Sequence, residues 1–155
     1  MKSAGETDIL VIGYGNELRG DDAVGPRIAG KVEEWHLPGV RAIACHQLTP
    51  ELAQDIAGAR TVIFVDASVE IEGDTAPVVR LEPAPASHFH AHLGDPRALL
   101  SLAQTLYGKS PAAWCAHVPA KNFEIGAPLS AEAQKGLSSA LDQLKALCVS
   151  IARQS

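Results

Sequence analysis

Positions 60–68 read RTVIFVDAS, and no polar side chain interrupts the run between Thr61 and Asp66. A strand with one face in water alternates apolar and polar residues, whereas a run this uniform fits a strand covered on both faces. DILVIGY at 8–14 is a second run of the same kind, and it leads straight into a glycine-rich turn. Strands buried on both sides commit the chain to a layered α/β architecture, because helices must cover each face of the sheet. The intervening segments have the periodicity to do so. Val24, Ile28, Val32 and Trp35 recur at helical spacing, with Pro26 in the first turn, where its missing N–H is tolerated. VRAIACH (40–46) reads as a strand, and Thr49 with Pro50 reads as the cap and first residue of a helix. APVVRLEP (76–83) is a short strand between prolines, suited to a sheet edge. Asp95-Pro96 opens a helix carrying Leu99, Leu102 and Leu106, AAWCAHV (112–118) is a last strand, and Ser130 caps a long helix bearing Leu137, Leu141, Leu144, Cys148 and Ile151. The expected fold is α/β, a three-layer sandwich in a single domain over 1–155. Its mainly parallel twisted sheet has about five strands, with DILVIGY and RTVIFVDAS as central neighbours and helices on both faces.

Composition removes several function classes. A net charge of −5 with no dense Lys/Arg run argues against nucleic acid or an anionic membrane as partner. No stretch approaches the roughly 20 apolar residues of a membrane helix. The opening MKSAGETDIL has neither the apolar core nor the small-residue cleavage site of a secretory signal, and Cys45, Cys115 and Cys148 are odd in number and scattered. Both features lead us to expect a cytoplasmic protein.

The turn after the first strand, GYGNELRGDDAVG (13–25), looks at first like a phosphate loop. It does not have the spacing. A dinucleotide fingerprint needs G-x-G-x-x-G, and here Leu18 stands at the third glycine; a Walker loop needs Gly-Lys-Ser/Thr, and here Gly20 is followed by Asp21 and Asp22. Two carboxylates at a helix start would repel the anion that such loops hold. As helix caps they would each contribute about 0.3–1 kcal/mol. The alternative is a cation site. In an open α/β sheet the carboxyl ends of the strands line the ligand crevice, and Asp66 closes the most apolar strand at that same rim. Carboxylates that converge there repel one another unless a cation lies between them.

A third ligand for such a cation is available in SHFHAHLGDP (87–96), where His88, His90 and His92 alternate. A solvated loop is the competing reading for His88 and His90. His92 is the preferred ligand because it stands nearest the Asp95-Pro96 helix start. Two carboxylates and an imidazole suit zinc, nickel, manganese or iron(II) alike. Cys45-His46 reads as a packed pair, Cys115 and His117 as core or rim, and His36 as surface. No Gly-x-Ser-x-Gly elbow and no cysteine–base pair supports an acyl-enzyme hydrolase.

With these residues in place, the chain resembles the [NiFe]-hydrogenase maturation endopeptidases. The turn matches that family's G-x-G-N-x-L-x-x-D-D/E-x-x-G pattern at Gly13, Gly15, Asn16, Leu18, Asp21, Asp22 and Gly25, with Asp22 where some members have Glu. The resemblance continues through HQLTPELA, VIFVDAS, HLGDPRALLSLA and NFEIGAPLS, nearly the whole chain. It implies a protease that removes the C-terminal extension of a hydrogenase large-subunit precursor after nickel insertion. It also implies metal contacts from Asp22, Asp66 and His92, with His90 as the neighbouring alternative. The nickel would arrive with the substrate, so the resting enzyme would hold a stray divalent ion or none. On this reading the anionic turn faces a cation carried by the partner. Asp21 would orient or deprotonate a water, or act only as a helix cap, and Asn16 would hold the loop or an oxyanion. A non-catalytic nickel-sensing chaperone and an unrelated metal-dependent amide hydrolase are the rival expectations.

Overall fold

A computed structural model describes residues 8–85 and 94–153. Five strands, β1 (Ile9–Tyr14), β2 (Val40–Cys45), β3 (Thr61–Ser68), β4 (Val78–Leu81) and β5 (Ala112–Pro119), form one sheet in the order β2-β1-β3-β5-β4. The first four in that order run parallel, and β4 pairs antiparallel with β5 at the edge. Helices α1 (Val24–Glu34) and α4 (Ala131–Arg153) cover one face, and α2 (Leu52–Ala57) and α3 (Pro96–Tyr107) cover the other. The three-layer α/β sandwich expected from the sequence is therefore present, with β1 and β3 paired along its middle.

Alternation along the buried strands divides the core. Leu10, Ile12, Phe64, Ala113 and Cys115 point toward α2 and α3, while Ile9, Val11, Ile63, Val65, Ala116 and Val118 point toward α1 and α4. Phe64, Ile63, Ile12 and Leu10 are fully withdrawn from water, each contributing about 1.5–3 kcal/mol. The sheet thus needs both helical layers.

The elements begin and end for local reasons, two of which differ from expectation. Asp95 caps α3 by accepting the Arg97 N–H at 2.9 Å, with Pro96 in the first position. Ser130 caps α4 through the Ala133 N–H at 3.1 Å. Thr49 does not cap α2, which begins at Leu52. Residues 49–53 close instead by tight turns, Leu52 N–H to Thr49 O and Ala53 N–H to Pro50 O, while the Thr49 hydroxyl donates to Glu51 and lowers its carboxyl pKa. In α3 the buried stripe is Leu99, Leu100 and Ala103 with Leu102 at its edge, and Leu106, in the last turn, stands 59% exposed.

The chain leaves β1, runs through α1 to β2 on one side, then returns through α2 to β3 on the other. Strand order reverses between β1 and β3, and the carboxyl ends of those two strands flank the gap where ligands of such sheets sit. The first helix packs close to this point because two glycines face each other. A Cβ on Gly13 would collide with the Gly25 carbonyl oxygen, and one on Gly25 would lie 2.8 Å from the Tyr14 nitrogen and 2.9 Å from the Val65 oxygen. Gly25→Ala is therefore expected to destabilise the protein by about 1–3 kcal/mol, through overpacking. Gly30→Ala, in the same helix with nothing within 4 Å, should instead raise stability by up to about 1 kcal/mol. Urea denaturation of the two variants checks the contrast.

Candidate active-site rim

After Tyr14 the chain turns through Gly15–Arg19 into a 3-10 turn, Gly20–Ala23, that leads directly into α1. The two acids of this turn have opposite fates. Asp21 is 0% exposed. Its carboxylate accepts the Lys121 N–H at 2.7 Å, the Asn122 N–H at 3.1 Å, the Ser130 N–H at 2.7 Å and the Ser130 hydroxyl at 2.7 Å. In return the Asp21 N–H donates to the Asn122 carbonyl at 2.8 Å. Burial opposes ionisation, but the hydrogen bonds from Lys121, Ser130 and Asn122 outweigh it and hold the carboxyl below its ordinary range. This geometry is that of an anchor, a role beyond the two expected for Asp21, a water-orienting acid or a helix cap. What it holds is the loop before α4 and the capping serine of that helix, rather than its own helix.

Asp22 is partly exposed and turns back toward the strand. Its Oδ2 accepts the Asn16 N–H at 2.7 Å, and the Asn16 side chain accepts the Leu18 N–H at 2.9 Å. The loop is therefore fastened around Asp22. Asp66 lies in β3, the parallel neighbour of β1, so both carboxylates belong to the same rim of the sheet, on either side of the strand-order reversal. His92, His90 and His88 lie outside the described residues. The helix that follows them is fixed on its N-terminal side, where the Arg97 side chain donates to Glu82 O at 2.9 Å and the Ser101 hydroxyl donates to Ala84 O.

The sheet assembles a second group of side chains around Asp66. Register pairs Asp66 with His117 across β3 and β5, and Tyr14 reaches Asp66 from β1. The Tyr14 hydroxyl donates to Oδ2 at 3.1 Å, and His117 Nδ1 lies 3.1 Å from Oδ1. Cys115 Sγ, on the same face two residues before His117, lies 4.0 Å from Oδ1. The hydrogen bond to Asp66, against some loss from burial, raises the His117 pKa above its usual value. Burial and the neighbouring Asp66 charge push the Tyr14 hydroxyl and the Cys115 thiol far up. Cys115 is core, as expected from its strand, and His117 is rim. The link of both to Asp66 was not foreseen, although i, i+2 alternation along β5 puts them on one face. Cys45 and His46 do not form the expected packed pair: His46 is exposed, and together with Gly15–Leu18, Pro26 and Ala44 they line a cleft of about 390 Å3. His36 is exposed, in the left-handed conformation (φ 51°), as its place beyond α1 allows.

The fold, over nearly the full length of the chain, is found in solved structures. The hydrogenase-maturating endopeptidase HybD from E. coli is 29% identical, with 93% of this chain and 94% of that one covered and a TM-score of 0.70. The chain resembles the [NiFe]-hydrogenase maturation proteases. A hydrogenase 2 maturation peptidase from a Thaumarchaeota archaeon is 28% identical over 91% of this chain and 98% of its own, at a TM-score of 0.64. The [NiFe]-hydrogenase maturation protease HybD of Thermococcus kodakarensis shares the fold at 21% identity and a TM-score of 0.70, covering 91% and 99%. No protein-family model matches the sequence, and no curated protein matches it. The resemblance read from the motifs is thus carried by the fold as well.

Because the Asp21 carboxyl titrates lower in the folded chain than in the unfolded one, its contribution to stability is complete above about pH 4 and is lost as pH falls through the lower folded value. Asp21→Ala leaves three part-buried N–H groups without their acceptor and should cost about 1–3 kcal/mol at pH 7. The stability gap between wild type and this variant should stay constant from pH 7 to about pH 5 and narrow below about pH 4. Denaturant titrations across that range measure it.

Proposed function

We propose that this chain is an endopeptidase that removes the C-terminal extension of a [NiFe]-hydrogenase large-subunit precursor once nickel has been inserted. The observation that carries the reading is the likeness, at 28–29% identity and over more than nine-tenths of the chain, to structures of hydrogenase maturation endopeptidases. The site's chemistry supports it. Two carboxylates stand at the strand-order reversal and no phosphate-binding loop competes for that position. Asp22 and Asp66, with His92, recognise the nickel borne by the substrate, and carboxylate and imidazole donors both suit that ion. The enzyme needs no resident metal for this step.

The two carboxylates have separate supports. The Asn16 backbone orients Asp22, Tyr14 and His117 orient Asp66, and Asp21 positions the whole turn from behind. The cleft beside the loop, together with Leu18 and Ile125, 70% and 81% exposed, suits a macromolecular substrate better than a small amide. Arg19 and Ile125 are backbone-paired, so these two apolar side chains are presented from adjoining loops.

The purified protein should cleave nickel-loaded precursor and leave nickel-free precursor intact, read as a mass change. Asp22→Asn and Asp66→Asn keep side-chain size but remove charge, and each should lower processing by at least about 100-fold while the protein remains folded. His92→Ala should do the same. Undiminished cleavage by Asp66→Asn would overturn the metal-recognition reading. Binding of nickel-loaded precursor without any cleavage by the wild-type protein would identify a chaperone instead.

A further inference from the structure

We propose that Asp66, Cys115 and His117 form a binding site, belonging to this chain itself, for a borderline-soft divalent cation such as zinc. Each residue offers one donor atom, and the three atoms lie within 4.8 Å of one another. Nδ1 of His117 is 3.1 Å from Oδ1 of Asp66, and Sγ of Cys115 is 3.9 Å from that nitrogen and 4.0 Å from that oxygen. A tetrahedral ion with bonds of about 2.0–2.3 Å places nitrogen and oxygen ligands about 3.3 Å apart, and sulfur about 3.5 Å from either. The observed triangle is close to one face of such a tetrahedron, so shifts of about half an ångström would seat an ion.

The placement also suits a site. Cys115 is 1% exposed and forms the floor, while His117 and Asp66, with side chains 30% and 26% exposed, form the open side. An ion therefore has a route in and a fourth position facing solvent, the arrangement of a three-ligand zinc site. The Tyr14 hydroxyl on Oδ2 is the kind of outer hydrogen bond that fixes a ligating carboxylate and leaves Oδ1 for the ion, which occupies Asp66 in the resting protein and gives it up when substrate nickel arrives. A sulfur ligand disfavours magnesium and calcium, which require oxygen donors. Two of the three ligands come from β5 and one from β3, so the parallel register Phe64↔Cys115 and Asp66↔His117 builds the site in the rigid part of the sheet. On binding, the thiol proton passes to solvent and the thiolate joins the ion.

Titration with Co2+ tests this, since cobalt substitutes for zinc and reports a thiolate ligand by a near-ultraviolet charge-transfer band. One equivalent should produce that band in the wild type, and Zn2+ should abolish it by displacement. Cys115→Ser should remove the band, and His117→Gln should weaken binding by at least about 10-fold. Cys45→Ser and Asp22→Asn should leave it unchanged. Cobalt binding without a thiolate band, a band that survives in Cys115→Ser, or one that vanishes in Cys45→Ser would each overturn the site. His117→Gln lies at the rim and carries the test if Cys115→Ser does not fold. Asp22→Asn separates this inference from the peptidase reading: that variant should lose precursor cleavage and keep the cobalt band.

Discussion

The buried carboxylate of Asp21 is the interaction on which the rim depends. A charge with no exposure to water is tolerated only where donors replace the lost hydration, and three backbone N–H groups and a hydroxyl do so here. The same four bonds close three loose ends at once. They set the turn that carries Asp22, they satisfy the N–H groups of Lys121, Asn122 and Ser130, and they hold the serine that starts α4. Apolar packing alone would bring these segments together without setting their register.

From that anchor the two faces of the sheet divide the work. The face under α1 and α4 is apolar to the carboxyl end of the strands, so the helix start can be pressed against β1 through Gly13 and Gly25. The face under α2 and α3 changes character at the level of Tyr14, Asp66 and His117, which form a polar row across three adjacent strands. Asp22 and Asp66 reach the rim by different means, one from a turn and one from a strand, and their supports are independent. A change to one need not displace the other.

What the sequence revealed follows the range of the interactions involved. The apolar runs of β1 and β3, the edge position of β4 and the caps at Asp95 and Ser130 depend on neighbours a few residues away, and all were legible. Asp66 stood out as the carboxylate that closes the apolar run, although β3 continues two residues past it to Ser68. The role of Asp21 was not, since its partners lie 100, 101 and 109 residues downstream and are mostly backbone groups with no side-chain signature. Cys115 and His117 were placed in the right strand, but only the pairing of β5 beside β3 shows that they face Asp66. The Thr49 cap failed at short range, where the turn through Pro50 and Glu51 satisfied the backbone before the helix began.

The long reach of Asp21 also bears on how the protein comes into being. A ribosome releases the glycine-rich turn early, yet the donors that set it leave last but for α4. The sheet order carries the same delay, since β3 acquires its second parallel neighbour only when β5 has been made. Closing so long a loop is entropically costly and is among the later events of folding. Until then the nascent chain carries its acidic turn without the hydrogen bonds that fix it. The turn is fixed only once residues 121–130 have docked against it.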